Sequence, residues 1–243
     1  IFSMFNRRNP FQIQFKNIQL NKQTILPILS LALPIFLGSM LFNVGKIFIN
    51  SMAAFYGTIA IASFGVSMKI VSIGAHISAA FEETESLIIS QNIGNKSLHR
   101  STKSFFVGLV YVVIVGVGVV ALITIFQNAL VTLFSRSDDP LYYEMIHNII
   151  RWEKYSAFTS ALLAIFAGFF NGFKRTRFTF IMNVFRLYVF RIPLLFLFIT
   201  LDIGYESLGY VMFISNTGTA LIGLTMALIL LHNIKKHEIQ YVN

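Results

Sequence analysis

Apolar residues in this chain come in long runs, and the polar residues collect between the runs rather than alternating with them. About 20 apolar helical residues cross a hydrocarbon core roughly 30 Å thick, where no water can satisfy an unpaired backbone group. Six stretches reach that length: Ile25–Tyr56, Ile59–Gln91, Phe105–Leu133, Tyr155–Phe173, Phe178–Leu201 and Leu208–Leu231. The pattern predicts an all-α, polytopic membrane protein with six transmembrane helices. It divides the chain into a polar, basic tail or linker (1–24), a six-helix membrane unit (25–232) and a second tail (233–243). Several runs exceed the minimum, which implies tilt, kinks or projecting ends, and Pro34 is the expected kink in the first.

Charge adds an orientation. With 56% hydrophobic and 12% charged residues, the net charge of +9 reads as membrane sidedness and not as a nucleic-acid footprint. Arg7, Arg8, Lys16, Lys22, Lys96, Arg100, Lys103, Lys174, Arg175, Arg177, Lys235 and Lys236 fall on one set of alternate connections and tails. The other set holds Arg136, Arg151 and Lys154. Twelve against three predicts a cell-membrane protein with both termini cytoplasmic. Tyr56, Tyr142, Tyr143, Tyr155, Tyr205, Tyr210 and Trp152 fall near the expected outer interface as a partial aromatic belt.

Zero cysteines exclude disulfides, thiolate catalysis and zinc ribbons. The first 24 residues have no apolar core and begin at Ile1, so no signal peptide is visible. A front truncation is expected, with RRNPFQIQFKNIQLNKQ as a linker arriving from a missing N-terminal part.

No catalytic constellation or metal-ligand spacing is present: His76, His99, His147, His232 and His237 are scattered, and no G-x-S-x-G occurs. His76, inside the second run, reads as a packed or cavity histidine. Gly168 and Gly172 form a GxxxG, extended by Ser160 and Ala164, whose expected role is close helix packing.

The informative residues are charges within or beside the spans. Glu82, Glu83 and Glu85 occupy the end of the second run, and each ionised carboxylate costs roughly 2.5–3.5 kcal/mol at the bilayer centre on insertion scales. The cluster therefore lies at the cytoplasmic interface, faces a wet cavity, or is partly protonated. At about 100° per residue, Ser78, Glu82, Glu85 and Ser86 share one polar stripe while Glu83 points elsewhere. Lys46, Lys69, Arg186 and Arg191 also fall inside spans. Arg186 lies too deep to snorkel, and a glutamate of the stripe is its expected partner. The RWEK segment around Glu153 reads as a solvated helix entrance, with Glu153 a secondary candidate.

The segment LALPIFLGSMLFNVGKIFINSMAAFYGTIAIASFGVSMKI, followed by LIISQNIGNKSLHRSTKSF, resembles the C-terminal six-helix lobe of the multidrug and toxic compound extrusion (MATE) transporters. In that family an L-P pair lies in the seventh span, and Q-N-x-G-x-x-x-x-x-R closes the eighth. FNGFKRTRFTFIMNVFRLYVFRIPLLF is similar to the family's connection from the tenth to the eleventh span, with Arg186 and Pro193 at matching positions.

The resemblance implies one lobe of a twelve-helix antiporter that exports organic cations and similar toxic compounds against H⁺ or Na⁺, with no other cofactor. Its partners would be membrane lipid, a small-molecule substrate and an N-terminal six-helix lobe absent from these residues. Glu82, Glu85, Ser78, Ser86, Arg186 and Glu153 are the candidates for the coupling-ion or substrate cavity. The triple glutamate departs from the family pattern, which carries Gln, Ala, Ser or Thr where Glu83, Thr84 and Glu85 stand. The seventh-span carboxylate of some branches is also missing, and Lys46 lies in that span instead. A lipid-linked oligosaccharide flippase of the same superfold, which needs a cationic cavity, and a non-transporting membrane partner subunit are the alternatives.

Overall fold

The computed structural model describes residues 21–135 and 139–236, so most of the linker, Arg136 and the end of the second tail lie outside the described residues. Among the described residues every regular element is helical: α1 (Lys22–Ala53), a 3₁₀ turn (Ala54–Tyr56), α2 (Thr58–Gly94), α3 (Leu98–Ile125), α4 (Gln127–Phe134), α5 (Pro140–Gly172), α6 (Thr176–Val184), a π-helical segment (Phe185–Arg191), α7 (Ile192–Thr200) and α8 (Ser207–Lys236). The π segment joins α6 and α7 into one span, Thr176–Thr200, and among the described residues six helices are long and apolar enough to cross a membrane.

Helix ends follow local chemistry. Asn21 caps α1 by accepting a hydrogen bond from the Gln23 N–H, and Asp139 caps α5 through the Leu141 N–H, with Pro140 in the first turn where no donor is needed. Three helices end on a non-glycine residue with positive φ: Lys96 (55°), Lys174 (58°) and Asp202 (51°). After each, the next N–H reaches back five residues, as from Ser97 to the Asn92 carbonyl (2.8 Å) and from Arg175 to Phe170 (2.8 Å). This is the Schellman closure, which satisfies the last carbonyls of a helix.

Several sequence-based boundaries move. The expected third span, Phe105–Leu133, breaks at Phe126 into α3 and the short α4, so its last turns are a separate helix. The fourth begins near Pro140 and not Tyr155, because an N-cap and a proline start α5 well ahead of its apolar stretch. The tails shorten as well, since α1 starts at Lys22 and α8 runs to Lys236. Helix α1 passes continuously through Pro27 and Pro34, whereas the irregular geometry lies in the fifth span.

Helix α5 is the most buried span and α1 the most exposed. α5 lies directly on α2 because the GxxxG glycines carry no side chain there. A methyl group at Gly168 would sit 2.6 Å from the Glu82 carbonyl oxygen, and one at Gly172 would sit 2.7 Å from the Ile89 Cβ. Beneath this contact Phe105, Phe166, Phe169, Phe170 and Phe173 pack together, with the Phe105 and Phe169 ring centres 4.3 Å apart. This cluster sits at one end of the α2–α5 pair, two further clusters pack around its other half, one on Phe64 and Ile149 and one on Ile70, Ile146 and Ile150, and a cavity opens beside its middle.

Candidate functional site

The cavity lies among α1, α2, α5, α6, the π segment and α8 and has a volume of about 450 Å³. Val71, Leu163, Ala164, Met182 and Met212 supply apolar wall. Five charged side chains also line it: Lys46 from α1, Glu82 from α2, Glu153 from α5, and Arg186 and Arg191 from the π segment. A charge inside a membrane span persists where protein dipoles or trapped water replace its hydration.

Pro193 explains how both arginines reach the same space. It has no N–H, and in an α-helix its ring would press on the carbonyl four residues back, at Val189. The chain widens instead, and the Ile192 N–H bonds to the Leu187 carbonyl five residues back. In an α-helix, residues five apart point about 140° from one another. The wider turn draws Arg186 and Arg191 together, and both line the cavity.

Arg191 is 4% exposed: its Nε donates to Ser215 Oγ (3.0 Å) and its Nη2 to Asn216 Oδ1 (2.7 Å). Asn216 donates in turn to Ser160 Oγ (2.9 Å) and the Ser156 carbonyl (3.3 Å), so the network ties α8 to α5. Glu153 accepts a hydrogen bond from Ser67 Oγ and interacts electrostatically with Arg191. Arg186 donates through Nη2 to Asn183 Oδ1 (3.2 Å), and its guanidinium carbon stands 3.9 Å from the centre of the Phe42 ring. Lys46 Nζ lies 4.9 Å and the Arg191 guanidinium 5.9 Å from that same ring, whose negative face attracts cations.

Glu82 is partly exposed to the cavity and accepts from Asn171 Nδ2 (3.3 Å). Thr179 Oγ1 donates to Asn171 Oδ1 (2.8 Å), which turns the amide so that its NH₂ faces Glu82. Arg186, which lines the same cavity, is its electrostatic counterpart.

The predicted polar stripe divides. Ser78 and Glu82 line the cavity, and Ser78 Oγ is bonded to the Gly74 carbonyl (2.7 Å). Glu85 and Ser86 do not line it. Gly168 of α5 packs onto α2 between the two carboxylates, leaving Glu82 on the cavity side and Glu85 against α3. There Glu85 is 4% exposed, accepts from Ser104 Oγ (3.2 Å) and occupies space left by Gly108, where a methyl group would come within 2.8 Å of Oε2. Glu83 is exposed. Helix α2 continues through the cluster to Gly94, so Glu85 is enclosed between helices and not solvated.

The RWEK segment is corrected in the same way. Glu153 and Lys154 are 2% and 8% exposed, inside a helix that began a dozen residues earlier. Lys69 and His76 are exposed and lie outside the cavity lining. Phe42, Asn171, Thr179 and Asn216 escaped sequence reasoning. The ISNTGT run of residues 214–219, polar in the middle of an apolar span, was the available signal for Asn216.

The family model for MatE matches residues 34–197. The chain belongs to the MATE family. The probable multidrug resistance protein YoeA of Bacillus subtilis is 22% identical over 147 residues, covering 58% of this chain and 32% of that protein. An outward-facing multidrug resistance MATE transporter of the MOP superfamily superposes with a TM-score of 0.89 at 17% identity, covering 97% of this chain and 53% of that one. A MOP superfamily transporter from Pyrococcus furiosus, described as having a binding pocket of reverse polarity, gives 0.86 at 17% identity over 94% of this chain and 51% of that one. This MATE chain is a multi-pass membrane protein of a transporter fold, and it spans about half the length of those solved chains.

Proposed function

We propose that this chain forms one six-helix lobe of a MATE-type exporter, which carries small amphipathic organic compounds out of the cell in exchange for inward H⁺ or Na⁺. The supporting observation is a cavity of about 450 Å³ in a membrane-spanning lobe with a carboxylate, Glu82, on its lining. Glu82 is the exchange group in this reading. Among the described residues it has one donor, Asn171, and it lines the cavity, whereas Glu153 is held in a buried network. A carboxylate that loads a proton or metal cation on one side and releases it on the other couples that ion to whatever shares the cavity.

Alternating access needs a second wall. The half-length coverage of the solved MATE chains supports a second six-helix lobe as partner. The twelve-to-three division of basic residues supports a cell-membrane location with both ends of the lobe cytoplasmic. The organic cations implied by the family fit less well here, because three cationic side chains stand beside two carboxylates.

The test is efflux from cells or everted vesicles containing the assembled transporter. Glu82→Gln abolishes ion-driven efflux if the reading holds; unchanged efflux with unchanged pH dependence rejects it. Flipping of lipid-linked oligosaccharide is a second reading, favoured by cavity-facing Lys46 and Arg186 and weakened by Lys69 lying outside. A proteoliposome lipid-translocation assay separates the two.

A further inference from the structure

The cavity has a charge pattern that the ion-exchange role of Glu82 does not use. Lys46, Arg186 and Arg191 all approach the one ring of Phe42, at 4.9, 3.9 and 5.9 Å. Like charges concentrated in a low-dielectric space repel strongly, and an aromatic face repays only part of that. Carboxylates offset some of it: Glu153 stands by Arg191, and Glu82 faces Arg186. Lys46 is different, because its electrostatic neighbours are Arg186 and Arg191. The lining therefore carries three cations against two acids and leaves one positive charge unmatched.

Donor capacity is also in excess. A guanidinium offers five N–H donors. Arg186 gives one hydrogen bond to Asn183, and its buried Nε has no acceptor among the described residues. Arg191, by contrast, has its Nε and Nη2 bonded to Ser215 and Asn216. The unpaired donor of Arg186 and the unmatched charge of Lys46 thus meet at the one Phe42 ring, next to the apolar wall of Val71, Leu163 and Met212.

We propose that the ligand of this cavity is an amphiphilic anion, with a carboxylate, sulfonate or phosphate head between Lys46 and Arg186 and an apolar body along the Val71, Leu163 and Met212 wall. This rests on the transport reading and names its substrate class. The head group can belong to a free solute or to a lipid, since both present the same oxygens.

The experiment is calorimetric titration of the purified transporter in detergent, in the assembly in which it is extracted, with three probes. These are 2-naphthalenesulfonate, trimethyl(2-naphthyl)ammonium, which has the same rings with opposite charge, and farnesyl pyrophosphate. At least one anion binds about tenfold or more tighter than the ammonium ion, and Lys46→Gln and Arg186→Gln each remove about that preference. Arg186→Lys retains it, which separates charge from fold. Tight sulfonate binding assigns a free solute, and tight farnesyl pyrophosphate binding with weak sulfonate assigns a lipid head group.

Tighter binding of the ammonium ion, or sulfonate and pyrophosphate affinities that both Gln variants leave unchanged, overturns the proposal. If the ammonium ion is both bound and exported, the anion class falls while the transport reading stands. If no probe binds and Glu82→Gln leaves efflux intact, both fall.

Discussion

Gly168→Ala tests the contact that sets the cavity's position. A methyl group there would lie 2.6 Å from the Glu82 carbonyl oxygen, 3.0 Å from the Glu85 Cβ and 3.2 Å from the Glu82 Cα, where ordinary contacts begin at 3.4 Å. Two of the three obstructing atoms are backbone, so relief requires α2 to move about 0.8 Å from α5 and not a rotamer change. Overpacking of this kind costs about 1–3 kcal/mol, against which alanine returns up to about 1 kcal/mol of helix propensity. A net loss of about 1–2 kcal/mol lowers Tm by roughly 2–8 °C for a domain of this size. The control is Gly118→Ala in α3, where no atom lies within 4 Å, so propensity acts alone and Tm holds or rises. Thermal unfolding in detergent, followed by circular dichroism, reads both variants. If Gly168→Ala is as stable as Gly118→Ala, the close approach of α2 and α5 is wrong, and with it the placement of Glu82.

Pro193→Ala restores an N–H and removes the ring that keeps the fifth span from tightening to an α-helix, which turns Arg186 away from Arg191. Binding of the preferred anion therefore falls; unchanged affinity would show that the π segment does not bring the arginines together. Lys174→Gly relieves a left-handed residue (φ 58°) and raises stability by about 1 kcal/mol, measured by the same melts. Glu85→Gln keeps the volume and the Ser104 hydrogen bond of a group outside the cavity, so efflux stays at the wild-type level where Glu82→Gln loses it. Loss of efflux in Glu85→Gln would move the exchange role across the α2–α5 contact.

The six spans were legible because membrane insertion rests on one strong signal, about 20 apolar residues in a row, and each run of that kind holds a long helix. Boundaries were less legible. Only Gln127 and Asn128 interrupt the run where α3 ends and α4 begins, and hydropathy averages over two residues. The start of α5 was hidden because Pro140–Lys154 is mixed in polarity and its helix is set by capping and packing. For the site, helical angles placed Glu82 and Ser78 together but could not say on which side of the stripe α5 would dock. That depends on Gly168 meeting the backbone between Glu82 and Glu85. The pairing of Arg186 with Arg191 was illegible by the same angles, since α-helical geometry separates them and a proline two residues beyond the second brings them together.

The central claim is that a water-accessible cavity, lined by Glu82 and Arg186, lies inside a membrane-spanning lobe. The chain has no cysteines, so single-cysteine variants report one position each. Reaction with a membrane-impermeant maleimide is to be compared at Ser39, Asn43 and Ser72 in the cavity and at Ile114 and Leu221, each 61% exposed on the apolar outer surface. Labelling of the first three with Ile114→Cys and Leu221→Cys inert is the predicted result. Equal reactivity of the two sets, or labelling of the outer pair alone, would contradict it.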